Sequence, residues 1–286
     1  MRMISSWRGM RILDATRSRG PRRVRLAPAV ALIFLLLFAP ASALAHGRHK
    51  SNRRPTIVLV HGAWAGPDGW NDVVRRLHED GYRTVTPSLD MTSLDGDVTI
   101  VRATLDSIPG DKILVAHSYG GFVASNASAG RSDVLALVFT AAFVPDEGDS
   151  ILSLGVGYQP SEAFNHLIPA GGSDPAALLI DPNYFAQYFA QDLNHRLAER
   201  LTEEQRPIDA SILSTQSGPV GWHDIPMWYA VSGSDLIIDP SEERWMAQRA
   251  GATIVTFPAA SHAGGYTHYA ARFTDLIEQA VRATAG

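Results

Sequence analysis

Ile113-Leu114-Val115-Ala116-His117-Ser118-Tyr119-Gly120-Gly121 is the stretch on which the fold turns. Its apolar run at 113–116 enters His-Ser-Tyr-Gly-Gly, and a small-residue segment of helical character follows at 122–129. Small residues allow the backbone to bend sharply from a strand into a helix, and a serine at such an elbow is presented at the helix N-terminus. There the free N–H groups and the helix dipole favour negative charge on a bound oxygen. Ser118 is therefore the candidate nucleophile, set against the plainer reading of a structural serine in a tight turn.

Working outward, residues 56–60, Thr-Ile-Val-Leu-Val, form a continuous β-branched run of the kind found in a strand buried on both faces. His61-Gly62-Ala63-Trp64 breaks it, and Val73, Val74 and Leu77 mark a helix over 70–79. Residues 83–87 read as a second strand, 98–108 as an amphipathic helix, 112–117 as the elbow strand and 134–139 as a fourth strand. This alternation predicts an α/β fold with a doubly wound, mostly parallel sheet.

From about residue 146 to 222 the alternation stops. Six prolines and an aromatic helical stripe (Phe185, Tyr188, Phe189, Leu193, Leu197) over 183–201 predict an inserted helical cap. Those aromatics are read first as packing residues. The pattern resumes with strands at 227–232 and 253–257 and helices at 241–249 and 269–284, so the α/β domain spans 56–286.

A serine hydroxyl needs a general base, and the base needs a carboxylate to orient it. In an open parallel sheet these groups belong in the loops at the carboxyl ends of the strands. Gly233-Ser234-Asp235 follows one strand and Ala259-Ala260-Ser261-His262 follows the next. The order Ser118, Asp235, His262 is that of the nucleophile, acid and base on such a sheet. Asp146 and Asp239 compete for the acid, and His268 for the base. The oxyanion donors expected are the backbone N–H groups of Ala63 and Tyr119. Trp64 is expected at the pocket mouth, whereas His61 and His117, at strand ends, read as structural.

With no cysteine among 286 residues, disulfides and thiolate chemistry are excluded. Residues 1–45 hold a basic segment at 22–25, an apolar run at 26–38, Pro40 and Ala43-Leu44-Ala45, which predicts a signal peptide cleaved after Ala45. An uncleaved anchor and a later start at Met10 are the alternatives. Either way the domain is exported. Removing this segment, with its eight arginines and one aspartate, takes the formal charge from −4 to −11, which leaves no electrostatic footprint for nucleic acid. Polar residues 46–55 read as a flexible tether. His46 and His49 lie there without the further ligands a metal site needs.

The chain resembles the α/β-hydrolase superfamily, and within it the branch of small esterases, hydroxynitrile lyases and plant methyl-ester esterases. The resemblance covers nearly everything after residue 55. It rests on Val58 to Ala63, the His117 to Gly121 elbow, Ala141-Ala142-Phe143-Val144-Pro145-Asp146, Ser234-Asp235, Arg244-Trp245 and Ser261-His262. It implies a cofactor-independent hydrolase of small-molecule carboxylic esters that acts through Ser118, His262 and Asp235, with no membrane contact in the mature form. Lyase or perhydrolase activity, or a non-catalytic pocket, are the alternatives. Gly62 and Ala263 stand where the lyases of this branch carry threonine and lysine, which lowers the lyase reading. The sequence leaves the oligomeric state open.

Overall fold

A computed structural model describes residues 54–171 and 176–285, so the expected signal peptide and residues 46–53 of the expected tether lie outside the described residues. The strands of the main sheet are β1 (Thr56–Val60), β2 (Thr84–Val85), β3 (Lys112–Ser118) and β4 (Val134–Ala142), joined after the cap by β8 (Met227–Ser232) and β9 (Thr253–Phe257). Their spatial order is β2-β1-β3-β4-β8-β9 and every pairing is parallel. The helices between them are α1 (Asn71–Glu79), α2 (Leu94–Ser107), α3 (Tyr119–Ala127), α7 (Pro240–Arg249) and α8 (Ala270–Thr284). Residues of β1, β3 and β8 are buried throughout, as strands covered on both faces must be. The doubly wound parallel sheet expected from the alternation is the one observed.

The strand order reverses between β1 and β3: β2 lies outside β1, while the chain after β3 builds in the other direction. Such a switch point opens a crevice at the carboxyl ends of the strands. The loop after β1 and the elbow after β3 are its two walls.

The cap differs from the expectation in two ways. The single helix expected over 183–201 is two, α5 (Pro182–Phe189) and α6 (His195–Glu203). The Asn194 side chain accepts from Leu197 N at 3.1 Å and so caps a new helix start, although the apolar stripe runs on across the break. The cap also contains a small antiparallel sheet in the order β5-β6-β7, formed by Leu167–Pro169, Ala177–Ile180 and Ile208–Asp209. These strands are two to four residues long, too short to show a period. A one-turn helix, α4 (Ile151–Leu154), leads into the cap. Elsewhere the differences are at ends: α2 begins at Leu94 because Ser93 caps it through Gly96 N, and α3 begins directly after Ser118.

Three contacts fix the elbow. Ser118 has φ 53° and ψ −128°, a left-handed conformation rare for a residue with a Cβ. The β3–β4 register slips between His117 and Ser118, so that Ser118 pairs with Ala142 past Ala141, itself at φ 43°. Tyr229 on β8 clamps Ala142, its hydroxyl donating to Ala142 O at 2.6 Å and accepting from Ala142 N at 2.8 Å. On the other side Tyr119 Oη donates to Asp97 Oδ2 at 2.7 Å, which ties the first residue of α3 to α2. Asp97 is fully buried, and its Oδ1 accepts from the backbone N–H of Asp90 and Met91.

Gly120 lets the elbow close on the strand beside it, because a Cβ there would sit 2.5 Å from His61 O and 2.6 Å from Val60 O. Gly120→Ala should destabilise the domain by about 1–3 kcal/mol through overpacking. The check is the urea unfolding midpoint, and an unchanged midpoint would contradict this packing.

Candidate active site

Four loop regions meet at the carboxyl edge of the sheet. Ser118 ends β3, Ala63 and Trp64 follow β1, Asp235 follows β8 and His262 follows β9. Ser118 is 3% exposed and His262 is fully buried. His262 Nδ1 lies 2.6 Å from Asp235 Oδ2, and both side chains are shielded from solvent. A carboxylate in that position accepts the Nδ1 proton and leaves the lone pair of the neutral ring on Nε2. Nε2 is buried and has no hydrogen-bond partner among the described residues. Asp235 is held in turn: its Oδ1 accepts from Ile237 N at 2.7 Å and Ile238 N at 3.0 Å.

The His262 loop is drawn to the elbow by the residue before the serine. His117 Nε2 lies 2.9 Å from His262 O, and the two rings are 4.6 Å apart. Phe189 of α5 covers the His262 ring edge-on at 4.8 Å, and Tyr266 meets His117 edge-on at 4.6 Å. Burial, then the nearby His262, hold His117 well below the usual histidine range, so it stays neutral and donates to that carbonyl.

His61 is also buried. Burial lowers its ring to about 4. Leu89 N donates to its Nε2 at 3.0 Å, which places the proton on Nδ1, 2.9 Å from Gly62 O. Both histidines expected to be structural thus serve to hold loops. The first braces the loop that carries Ala63.

Ala63 is 4% exposed, and Tyr119 is the first residue of α3, whose N–H has no partner within the helix. Trp64 adopts φ 58° and its Nε1 donates to Leu178 O of β6 at 3.1 Å, linking this loop to the cap. With Phe185, Phe189, Leu201, Arg206 and Tyr266 it lines a cavity of about 190 Å³.

The competing residues lie elsewhere. Asp146 is half-exposed and lies 2.9 Å from His223 Nε2, an interaction that holds its carboxyl below the usual range. Asp239 caps α7 through Ser241 N. His268 is exposed and lies 3.6 Å from Asp192. Among the acid and base candidates, the structure brings Asp235 and His262 together. Sequence reasoning passed over Phe189 as a cover for the base, the Asp97–Tyr119 brace and a buried carboxyl, Glu243, in α7. A Glu in the charged run Ser-Glu-Glu-Arg gives no signal of burial.

This fold and site define an α/β-hydrolase. The sequence pattern of the alpha/beta hydrolase family matches residues 57–276, and the chain belongs to that family. Within it the chain aligns with carboxylesterase-type hydrolases. It is 34% identical over 135 residues to the carbendazim hydrolyzing esterase of Nocardioides sp. (strain SG-4G), in an alignment spanning 43% of this chain and about half, 55%, of that relative's length. Over 236 residues it is 26% identical to methylesterase 2 of Arabidopsis thaliana, covering 72% of this chain and 88% of the relative. Among solved structures, polyneuridine aldehyde esterase superposes with a TM-score of 0.69 at 16% identity, covering 79% of this chain and 99% of that one. The pyrethroid hydrolase PytH does so with a TM-score of 0.67 at 21% identity, covering 81% and 98%.

Because His61 and His117 are neutral in the fold but take up protons when unfolded, acidification should weaken the domain. The folded His61 ring lies at about 4 against an ordinary 6.5, so its contribution to stability is present above 6.5 and is lost as pH falls toward 4. The loss amounts to about 3 kcal/mol for this residue. Urea unfolding across that interval, compared with His61→Gln, checks it; equal slopes in the two proteins would contradict it.

Proposed function

We propose that the chain is a secreted serine esterase that cleaves small carboxylic esters through Ser118, His262 and Asp235. The observation that carries this reading is the buried Asp235–His262 hydrogen bond, which leaves the Nε2 lone pair free in the loop that His117 holds against the serine. Apo structures often show the serine–histidine contact open, and substrate tightens it.

In the reaction, Ser118 Oγ attacks the ester carbonyl carbon while its proton passes to His262 Nε2. The carbonyl oxygen takes the negative charge and accepts from the backbone N–H groups of Ala63 and Tyr119. Collapse breaks the ester C–O bond, and Nε2 returns the proton to the departing alkoxide. Water then attacks the acyl-enzyme, giving its proton to Nε2, and the second collapse releases the carboxylic acid and restores Ser118. Asp235 stays ionised throughout and stabilises the imidazolium. Trp64, Phe185, Phe189 and Tyr266 give the nearby cavity an apolar wall, and Asp68, Glu204 and Arg206 give it a charged one. No cofactor takes part.

Phe189 of the cap covers the His262 ring, and Ser118 is almost wholly buried beneath the surface. The relatives named for ester hydrolysis support this reaction class. Export rests on the basic, apolar and Ala-Leu-Ala succession of residues 1–45. Among the described residues no helix is long and apolar enough to cross a membrane.

Ser118→Ala should lose at least about a thousandfold in kcat/KM on an activated ester and lose labelling by a fluorophosphonate probe. Near wild-type turnover in that variant would overturn the assignment of Ser118. For export, the protein recovered from the medium of a secreting host should begin at His46, as read by N-terminal sequencing. A product that keeps residues 1–45 in the cell membrane would contradict cleavage.

A further inference from the structure

Glu243 lies behind the candidate acid and takes no part in the reaction just described. It sits in the first turn of α7 and is fully buried. Its Oε2 accepts from Ser232 N at 3.1 Å, the last residue of β8. Its Oε1 is buried and receives no donor.

The ionisable side chains that act on this carboxyl are Asp235, in the loop after β8, and Tyr229, on β8 itself. Neither has a hydrogen to offer. The single Tyr229 hydroxyl proton is given to Ala142 O at 2.6 Å. Asp235 is acceptor-only as the partner of His262. An ionised Glu243 would set a second carboxylate against the first, without water, with Oε1 unpaired. Such a group takes up a proton instead.

A carboxylate offers about four acceptor sites. Three of those on Asp235 are occupied, by Ile237 N, Ile238 N and His262 Nδ1. We infer that Glu243 is a neutral carboxylic acid whose Oε1–H fills the fourth site, making it a positioning residue that keeps Asp235 ionised and aligned on His262. The inference rests on the proposed role of Asp235. A charged acceptor makes the stronger hydrogen bond, which selects Asp235 over the Tyr229 lone pair.

The remaining groups around it agree. Burial first, and then the Asp235 charge, push the Glu243 carboxyl well above the usual range. From α7 itself come Asp239, at the helix start, and Glu242, which burial, then Asp239 and Asp235, push up to about 7. Among the described residues, those that act most strongly on the Glu243 carboxyl include no cation.

Three measurements test this. The infrared spectrum at neutral pH should contain a protonated-carboxyl stretch that Glu243→Gln removes; a wild-type-minus-variant difference without that band overturns the inference. The Glu243 proton is bound in the fold and lost on unfolding. Its stabilising effect is therefore full below the ordinary carboxylate range and declines as pH rises toward the folded value. The stability of Glu243→Gln should accordingly fall less steeply with rising pH than that of wild type, and identical slopes would also count against the proposal.

For activity, Glu243→Leu should lose roughly 10- to 100-fold in kcat, and Glu243→Gln, which retains an N–H donor, should recover most of it with the acid limb of its pH profile unmoved. Equal losses in the two variants, or an acid limb displaced in Glu243→Gln, would show a charged or merely structural residue. Where Glu243→Leu fails to fold, the spectrum and slope of Glu243→Gln decide. Those two readouts need no turnover, so an inactive wild type would sink the esterase reading and leave the proton on Glu243 to be judged separately.

Discussion

A serine held at φ 53° is the constraint on which the rest of this molecule depends. A conformation of that kind opposes folding by about 1–3 kcal/mol and persists only where its neighbours over-determine it. Here they do so from three directions. The register slip at Ala141 places Ala142 beside the serine, Tyr229 fixes both polar groups of Ala142, and Gly62 and Gly120 let the β1 loop and α3 approach until no Cβ would fit. A Cβ on Gly62 would lie 2.6 Å from that of Ser118. The same closeness that enforces the strain brings the β1 loop, at the residue before Ala63, against the elbow.

A second constraint is electrostatic. The site buries one carboxylate and the imidazole it orients, and it does so at the C-terminal edge of β8 rather than in the middle of the core. Desolvation of a single charge is offset there by two backbone N–H groups and one ring N–H. His61 and His117, each buried and each neutral, add no charge to this region. They hold loops by the tautomer each adopts. The Asp235 carboxylate is therefore set directly against the His262 ring.

How much of this was legible follows from how the fold uses the chain. A parallel sheet covered on both faces needs β-branched runs, and each run ends in one loop at the same edge. Ser118, Asp235 and His262 could be named as candidates because each sits in such a loop, and the doubly wound order followed from the same runs. The cap was less legible. The stripe from Phe185 to Leu197 keeps its helical spacing through the break at residues 190–194, since Phe185, Phe189 and Leu197 all face the interior from two separate helices. The cap strands are too short to announce themselves. The contact of His117 with the carbonyl of His262 spans 145 positions and leaves no mark on local pattern. Glu243 reads in the sequence as one more charge in Ser-Glu-Glu-Arg, and only the fold turns it inward.

The indole of Trp64 belongs to the loop after β1, yet its N–H is spent on a carbonyl of the cap sheet, Leu178 O. The loop after β1 and the cap sheet are thus joined by a directional bond as well as by packing. The position of the residue next to Ala63 is set from outside the α/β sheet, by a strand that belongs to the insertion.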